Sequence, residues 1–328
     1  MKNQWIKQKY YTLNVYERNV FGCFFDIHKD YHKEAFGVLK EWFLGVKAYL
    51  FCKWQRFFKR DLYFKYLEVP ITTKCSLNCK ECNNLIQYYQ NPKNYDAKQV
   101  ISDIKRICGV SKRIKILRIL GGEPLVHPNL FIILDELKKI NKIEHIEIVT
   151  NGTLIFDDKC VRLLKSNKFS IDISNYGEHS IKYSELIRQL KRKRIRYHTQ
   201  EEQKAWKALS SCRCRERSLT ELKNVFAACT EDCHSLLNGE LHLCARSSHG
   251  TDLGLIRKCS EEYVWVRKIH KKGQLKKQIY DLLNRKQITA CNYCDLFQID
   301  KIETISSAEQ ISKKAANDRM LSWEIKSS

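Results

Sequence analysis

From Tyr66 to about Gln200 the chain alternates between short β-branched apolar runs and longer amphipathic stretches. The runs predict strands over 67–73, 115–120, 143–149, 170–174 and 194–198. Between them apolar residues recur every three or four positions, which predicts helices over 96–107, 129–140, 157–166 and 180–192. Alternation of this kind builds parallel βαβ units. Ligands of such sheets gather at the carboxyl ends of the strands. A sixth strand is not legible in the pattern.

The flanks read differently. Between Glu34 and Lys65, residues Leu39, Trp42, Phe43, Val46, Leu50, Trp54, Phe57 and Phe58 recur on one helical face, while Lys40, Lys47, Lys53, Arg56 and Arg60 lie mainly elsewhere. The expectation is a helix packed on the sheet. The alternative is peripheral membrane contact through residues 34–65, with the aromatics at the interface. The segment Asn238-Gly-Glu-Leu-His-Leu-Cys244 predicts a hairpin with a glycine turn. The Ser/Lys-rich tail after Ser306 predicts a helix that frays.

A chain of 328 residues can bury one large core and a small appendage. The segment Met1 to Asn14 shows no apolar export signal, and no run of eighteen apolar residues occurs, so a cytoplasmic location is expected. That setting, together with the cluster-like spacings, fits thiolate ligation better than disulfides for the fifteen cysteines, with Cys108 and Cys160 expected as small core residues. The net charge of +22 raises nucleic acid as a partner, with basic clusters at Lys191–Arg194 and Arg267–Lys277. No aromatic-plus-basic nucleic-acid motif accompanies them, and a solvated basic surface is the expectation.

The cysteines carry the chemistry. Cys75, Cys79 and Cys82 follow the first strand at spacings of three and two residues. Thiolates on such a loop can converge on one inorganic centre, and three of them leave one iron of a [4Fe–4S] cube open to a small molecule. A zinc knuckle is the competing reading. The second strand ends in Gly121-Gly122-Glu123-Pro124, where glycines let backbone approach a ligand closely. The third ends in Thr150-Asn151-Gly152, and the fourth in Ser174-Asn175-Tyr176. All these ends should face one mouth.

Cys-x3-Cys-x2-Cys followed by Gly-Gly-Glu-Pro resembles the radical S-adenosylmethionine superfamily. The resemblance implies an α/β fold with a partial (β/α)6 barrel. It implies that Cys75, Cys79 and Cys82 hold a [4Fe–4S] cluster. It also implies that Gly121, Gly122, Glu123, Asn151 and Ser174 line bound S-adenosylmethionine. Cluster reduction would cleave that cofactor to a 5′-deoxyadenosyl radical, which takes hydrogen from substrate. The residue before the third cysteine is usually aromatic and lies by the adenine; here it is Glu81.

Cys229, Gly239-x4-Cys244 and Cys291-x2-Cys294 resemble the twitch domain, a short relative of SPASM that holds an auxiliary [4Fe–4S] cluster. By position the ligands are Cys229, Cys244, Cys291 and Cys294, with Cys233 competing with Cys229. A zinc ribbon uses the same residue types and stays open. The domains expected are an N-terminal helical extension over 1–66, the barrel over 67–222, the auxiliary domain over 223–297 and a tail over 298–328. The resemblance implies an electron donor such as flavodoxin or ferredoxin. The leading function is oxidation of a sugar or other small molecule. A peptide- or protein-modifying maturase, an RNA-modifying enzyme and a non-catalytic Fe–S or zinc protein are the alternatives. No catalytic base is identified; His179, Arg196 and His198 are the residues to examine.

Overall fold

The computed structural model describes residues 2–26, 35–229 and 233–324. Three helices come first: α1 (Lys2–Tyr11), α2 (Val15–Phe24) and α3 (Ala35–Trp54), the last running into a π-helical turn at Gln55–Lys59. Strands β1 (Leu62–Pro70), β2 (Ser111–Leu120), β3 (Ile143–Thr150), β4 (Phe169–Ile173) and β5 (Tyr197–Thr199) then lie side by side, all parallel. The crossovers contain α4 (Ala97–Val110), α5 (Leu130–Lys138), α6 (Asp158–Leu164) and α7 (Tyr183–Lys193).

The alternation of side chains along these strands decides which face takes the helices. Leu67, Leu117, Ile119, Ile146, Ile148 and Ile171 lie in register on one face and are buried in one continuous core with Ile104, Ile107, Ile133 and Leu137 of the crossover helices. Towards the carboxyl ends of the strands the opposite face is polar. There Arg118 of β2 pairs with Glu147 of β3 at 2.5 Å, lies 3.7 Å from Glu68 of β1 and 3.9 Å from Asp172 of β4. Asp96 starts α4 by accepting from the Gln99 amide at 2.9 Å.

The sixth parallel strand arrives from an unexpected direction. A short strand β6 (Ala205–Lys207) leaves the main sheet. After α8 (Leu219–Ala228), β7 (Cys233–Leu237) pairs in parallel with β1, on the edge opposite β5. β8 (Glu240–His242) and β9 (Tyr263–Trp265) continue antiparallel beyond it. The six-unit succession expected from sequence is therefore five βα units plus one strand added at the β1 edge. The hairpin between β7 and β8 is as expected: Asn238 and Gly239 both have positive φ, 48° and 85°, as a two-residue primed turn requires.

Two domain boundaries change with this. β1 starts at Leu62, so the N-terminal extension ends before residue 66. The aromatic run 57–66 suits a helix or a strand by composition, and only pairing with β2 decides. Residues 223–297 share the sheet and the core of the barrel rather than forming a separate lobe. The chain continues through α9 (Ala245–Asp252) and α10 (Lys272–Leu283). The tail is also ordered differently from expectation. β10 (Thr304–Ser306) pairs with β6, and α11 (Lys313–Glu324) packs near the cysteine loop, so the helix predicted there is anchored.

Candidate active site

Parallel pairing of β1 and β2 runs past their ends into the cysteine loop. The Ile71 amide donates to the Leu120 carbonyl, Gly122 to Thr72 and Glu123 to Lys74, each at 2.9 Å. The two glycines are required by this approach. A Cβ on Gly122 would lie 2.8 Å from the Cys75 Cβ and press on the Lys74 carbonyl; one on Gly121 would press on that of Thr72. Asn84 closes the loop by donating to the Gly121 carbonyl at 3.1 Å.

Cys75, Cys79 and Cys82 act on each other electrostatically, and burial pushes the Cys75 and Cys79 thiols up to about 12 and raises Cys82. Donors already point at the sulfurs: Leu77 N–H and Asn151 Nδ2 at Cys75, 3.5 and 3.6 Å, and Gln310 Nε2 at Cys79, 3.3 Å. Such donors stabilise sulfur-held negative charge, as cluster ligation requires. The glycine cradle and this donor set fit a three-thiolate cluster with a small molecule beside it.

Beside the loop is a cavity of about 470 Å³ lined by Glu81, Cys82, Asn83, Asn84, Gly121, Gly122, Thr150, Asn151, Ser174, Tyr176, Gln203, Trp206 and Lys207, among others. Four of the five residues expected to line the small-molecule site are thus brought together. Glu123 is the exception. Its carboxylate is fully buried behind the wall, accepting from the Leu125 amide at 3.0 Å, the Thr150 hydroxyl at 2.9 Å and the Asn151 amide at 2.8 Å. It holds the turn that carries Asn151 and does not face the cavity. Asn151 in turn donates to Ser76 Oγ at 3.1 Å.

Burial pushes the Glu123 carboxyl up to about 7, against those three hydrogen bonds. A buried acid with a raised pKa favours the folded state when protonated. Its contribution is therefore greatest below about pH 4.5 and declines as pH rises to about 7. The expected loss over that window is about 3 kcal/mol. Urea unfolding of the wild type and Glu123→Gln across it should show a stability difference that shifts by this amount. A difference independent of pH would mean that Glu123 does not carry it.

Sequence reading missed the aromatic wall. Tyr176 and Trp206 meet edge to face at 5.1 Å in the cavity. The adjacent aromatic at the fourth strand end was visible; Trp206 follows β5 in a stretch with no motif. Glu81 itself is buried, accepts from the Ser210 amide at 2.6 Å and pairs with Arg319 of α11. The tail holds the loop at further points. Asn78 N–H donates to Gln310 at 2.7 Å, Lys80 pairs with Glu309 at 3.0 Å, and the Lys80 amide donates to the Glu309 carbonyl at 2.8 Å.

A second cavity, of about 310 Å³, contains Cys229, Cys244, Cys291 and Cys294 in its wall. Cys229 ends α8, Cys244 caps α9, and Cys291 and Cys294 come from a short 3-10 turn. Burial and the neighbouring thiols push Cys244 up to about 12 and raise Cys291 as well. Arg217 braces the turn, donating to the carbonyls of Cys291 at 2.6 Å and Cys294 at 2.9 Å and pairing with Asp295 at 2.7 Å. The side chain of Cys233, the competing ligand, lies outside the described residues. Among the described residues, no three His, Cys, Asp or Glu side chains are placed to hold a single metal ion. Arg196 and His198 are exposed, His179 is half-buried, and none of the three lines either cavity.

The two cavities adjoin, sharing Asn83, Asn84, Leu120 and Leu209. Glu68 and Arg118 reach the second from the polar face of the sheet, and Arg246 from α9.

The sequence model of the radical SAM superfamily matches residues 69–215. GTP 3',8-cyclase of Clostridium perfringens (strain 13 / Type A) is 29% identical over 125 residues, 38% of this chain and 38% of that protein. Molybdenum cofactor biosynthesis protein 1 of Dictyostelium discoideum is 32% identical over 127 residues, 38% of this chain and 20% of that protein. Among solved structures, BtrN in complex with AdoMet and 2-DOIA aligns over 69% of this chain and 84% of that one, at 15% identity and a TM-score of 0.37. Native anSMEcpe with AdoMet and Cp18Cys peptide aligns over 41% of this chain and 42% of that one, at 21% identity and a TM-score of 0.33. The chain spans well under half the length of the curated relatives it matches.

Proposed function

We propose that residues 69–215, which the radical SAM superfamily model matches, hold a [4Fe–4S] cluster and S-adenosylmethionine, and that the enzyme removes hydrogen from a small hydroxyl-bearing molecule such as a sugar. Cys75, Cys79 and Cys82 hold the cluster in this reading. Gly121, Gly122, Asn151 and Ser174 receive S-adenosylmethionine, with Tyr176 and Trp206 as an aromatic wall of the same cavity. Together the bound groups supply reductive cleavage of S-adenosylmethionine and hydrogen-atom abstraction.

The observation that carries the reading is the adjoining of the two cysteine-walled cavities at Asn83, Asn84, Leu120 and Leu209. A substrate in the second cavity lies next to the first without crossing solvent. Its volume of about 310 Å³ suits a small molecule better than a peptide segment. Glu68 and Arg118 present a carboxylate and a guanidinium there, the groups that accept from and donate to neighbouring hydroxyls. Cys229, Cys244, Cys291 and Cys294, in the wall of the same cavity, would hold an auxiliary [4Fe–4S] cluster beside it. The net charge of +22 suits an acidic electron carrier such as flavodoxin or ferredoxin.

Anaerobic reconstitution tests this. The wild type should hold about eight irons per chain, as two four-iron clusters require, and release 5′-deoxyadenosine under dithionite. The triple Cys75/Cys79/Cys82→Ala variant should lose that release and about half the iron. Cys291/Cys294→Ala should lose the other half and keep the release. A loaded wild type that neither binds S-adenosylmethionine nor releases 5′-deoxyadenosine would overturn the reading. About four irons plus zinc would keep the radical chemistry and assign the second site to zinc.

A further inference from the structure

We propose that the outward face of α3 and its π-helical turn docks on an anionic lipid membrane. Among the described residues, helix α3 meets the rest of the molecule along one side only. Ala48 and Cys52 are buried, and Gly45 sits so tightly on Ile6 of α1 that a Cβ would collide with it. The other side is uncovered by any described residue. Phe43 is 54% exposed, Leu50 61%, Trp54 42%, Phe57 66% and Phe58 74%, with Leu44 beside them at 47%. Their positions follow the helical repeat, so they form one stripe about 22 Å long. Isolated exposed apolar side chains are ordinary, but a contiguous stripe of this kind marks a contact surface.

Charge selects the occupant. Residues 40–60 contain six basic residues and one acid, Glu41. Lys40, Lys47, Lys59 and Arg60 are exposed around the stripe. The acid that α2 sends towards this region, Glu17, is buried beneath Lys53 and Arg56 at 2.8 and 3.2 Å. Lys59 lies over the Trp54 ring at 5.8 Å and Arg56 over Phe57 at 5.8 Å, so cations sit level with the aromatic rings. This is the arrangement an in-plane interfacial helix uses: rings at the acyl boundary and cations at the lipid phosphates. No helix of the described residues is long and apolar enough to cross a membrane, which leaves surface attachment as the mode. The surface is separate from both cavities, so its test is independent of the radical chemistry.

The full chain, anaerobically reconstituted, is sedimented with phosphatidylcholine vesicles with and without about 30% phosphatidylglycerol. The wild type should pellet with the anionic vesicles, remain in solution with the neutral ones, and be released by high salt. Phe57→Ser/Phe58→Ser should bind at least about tenfold more weakly. The charge reversal Lys47→Glu/Lys59→Glu/Arg60→Glu should do the same, and both variants should keep the wild-type melting temperature. The proposal is overturned by a wild type that ignores anionic vesicles, or by binding that neither set of substitutions weakens. It is also overturned by a dimer in light scattering that Phe57→Ser/Phe58→Ser turns into monomer, because a second copy would then cover the face.

Discussion

Arg319→Met is expected to destabilise the protein by about 3–5 kcal/mol, the cost of leaving a buried carboxylate without its cation. The Glu81 side chain is 1% exposed, and its partners are the Ser210 amide and the Arg319 guanidinium. Arg319 also donates to the Lys80 carbonyl at 2.9 Å and to Ser210 Oγ at 3.3 Å. Methionine keeps the volume and removes every donor. Replacing both partners, Arg319→Met with Glu81→Met, removes the stranded charge as well and should recover most of the loss. Urea unfolding of the four proteins decides it. A single-variant cost below about 1 kcal/mol, the range of an exposed pair, would refute a buried clamp. Because Glu81 precedes Cys82, the single variant should also retain less iron after desalting, and the double variant should retain more.

Acid should act through His249. This side chain is fully buried against Tyr89 and Asp252. The Tyr89 hydroxyl donates to Asp252 at 2.9 Å, so His249 Nδ1, also 2.9 Å from that oxygen, carries the proton it shares with Tyr89. Nε2 is buried and has no hydrogen-bond partner among the described residues. Protonating it would create a buried cation with an unmet donor. Burial, then the nearby His242, hold the imidazole down at about 3, from an ordinary value of 6.5. The folded pKa lies below the unfolded one, so the unfolded chain binds the proton better. Stability from this residue is complete above about pH 6.5 and is lost as pH falls towards 3. The expected loss is about 5 kcal/mol over that range, a large part of a typical domain's stability. His249→Gln does not titrate, so unfolding free energies of wild type and variant should converge as pH falls. Curves that stay parallel from pH 7 to acid would exclude His249 as the sensor. His127, His145 and His242 are also held down by burial and add acid sensitivity that the variant retains.

The sequence by itself determined the local chemistry. Cys75, Cys79 and Cys82 are separated by three and two intervening residues on one loop, so their convergence follows from chain connectivity. Strand and helix alternation from β1 to β5 was legible because each βα unit carries its own periodicity and its own caps, as Asp96 shows for α4. The Asn238-Gly239 turn was legible because few residues accept two successive positive φ values.

Only tertiary structure decided the rest, because it depends on contacts between residues far apart in the chain. β7 joins β1 through pairs such as Leu67 with His234, and no local pattern encodes which edge of a sheet a strand will choose. Glu123 looked like a cavity residue by its place in the motif. The direction of its carboxylate was set by Thr150 and Asn151, nearly thirty residues on. Glu81 looked like a missing aromatic. It is an anchor for Arg319, 238 residues away. The exposed face of α3 has the same composition as a buried one, and only the placement of α1 and α2 shows which side is left to solvent. Hydrophobic patterning states that a face is apolar; what covers it is settled by the other elements of the fold.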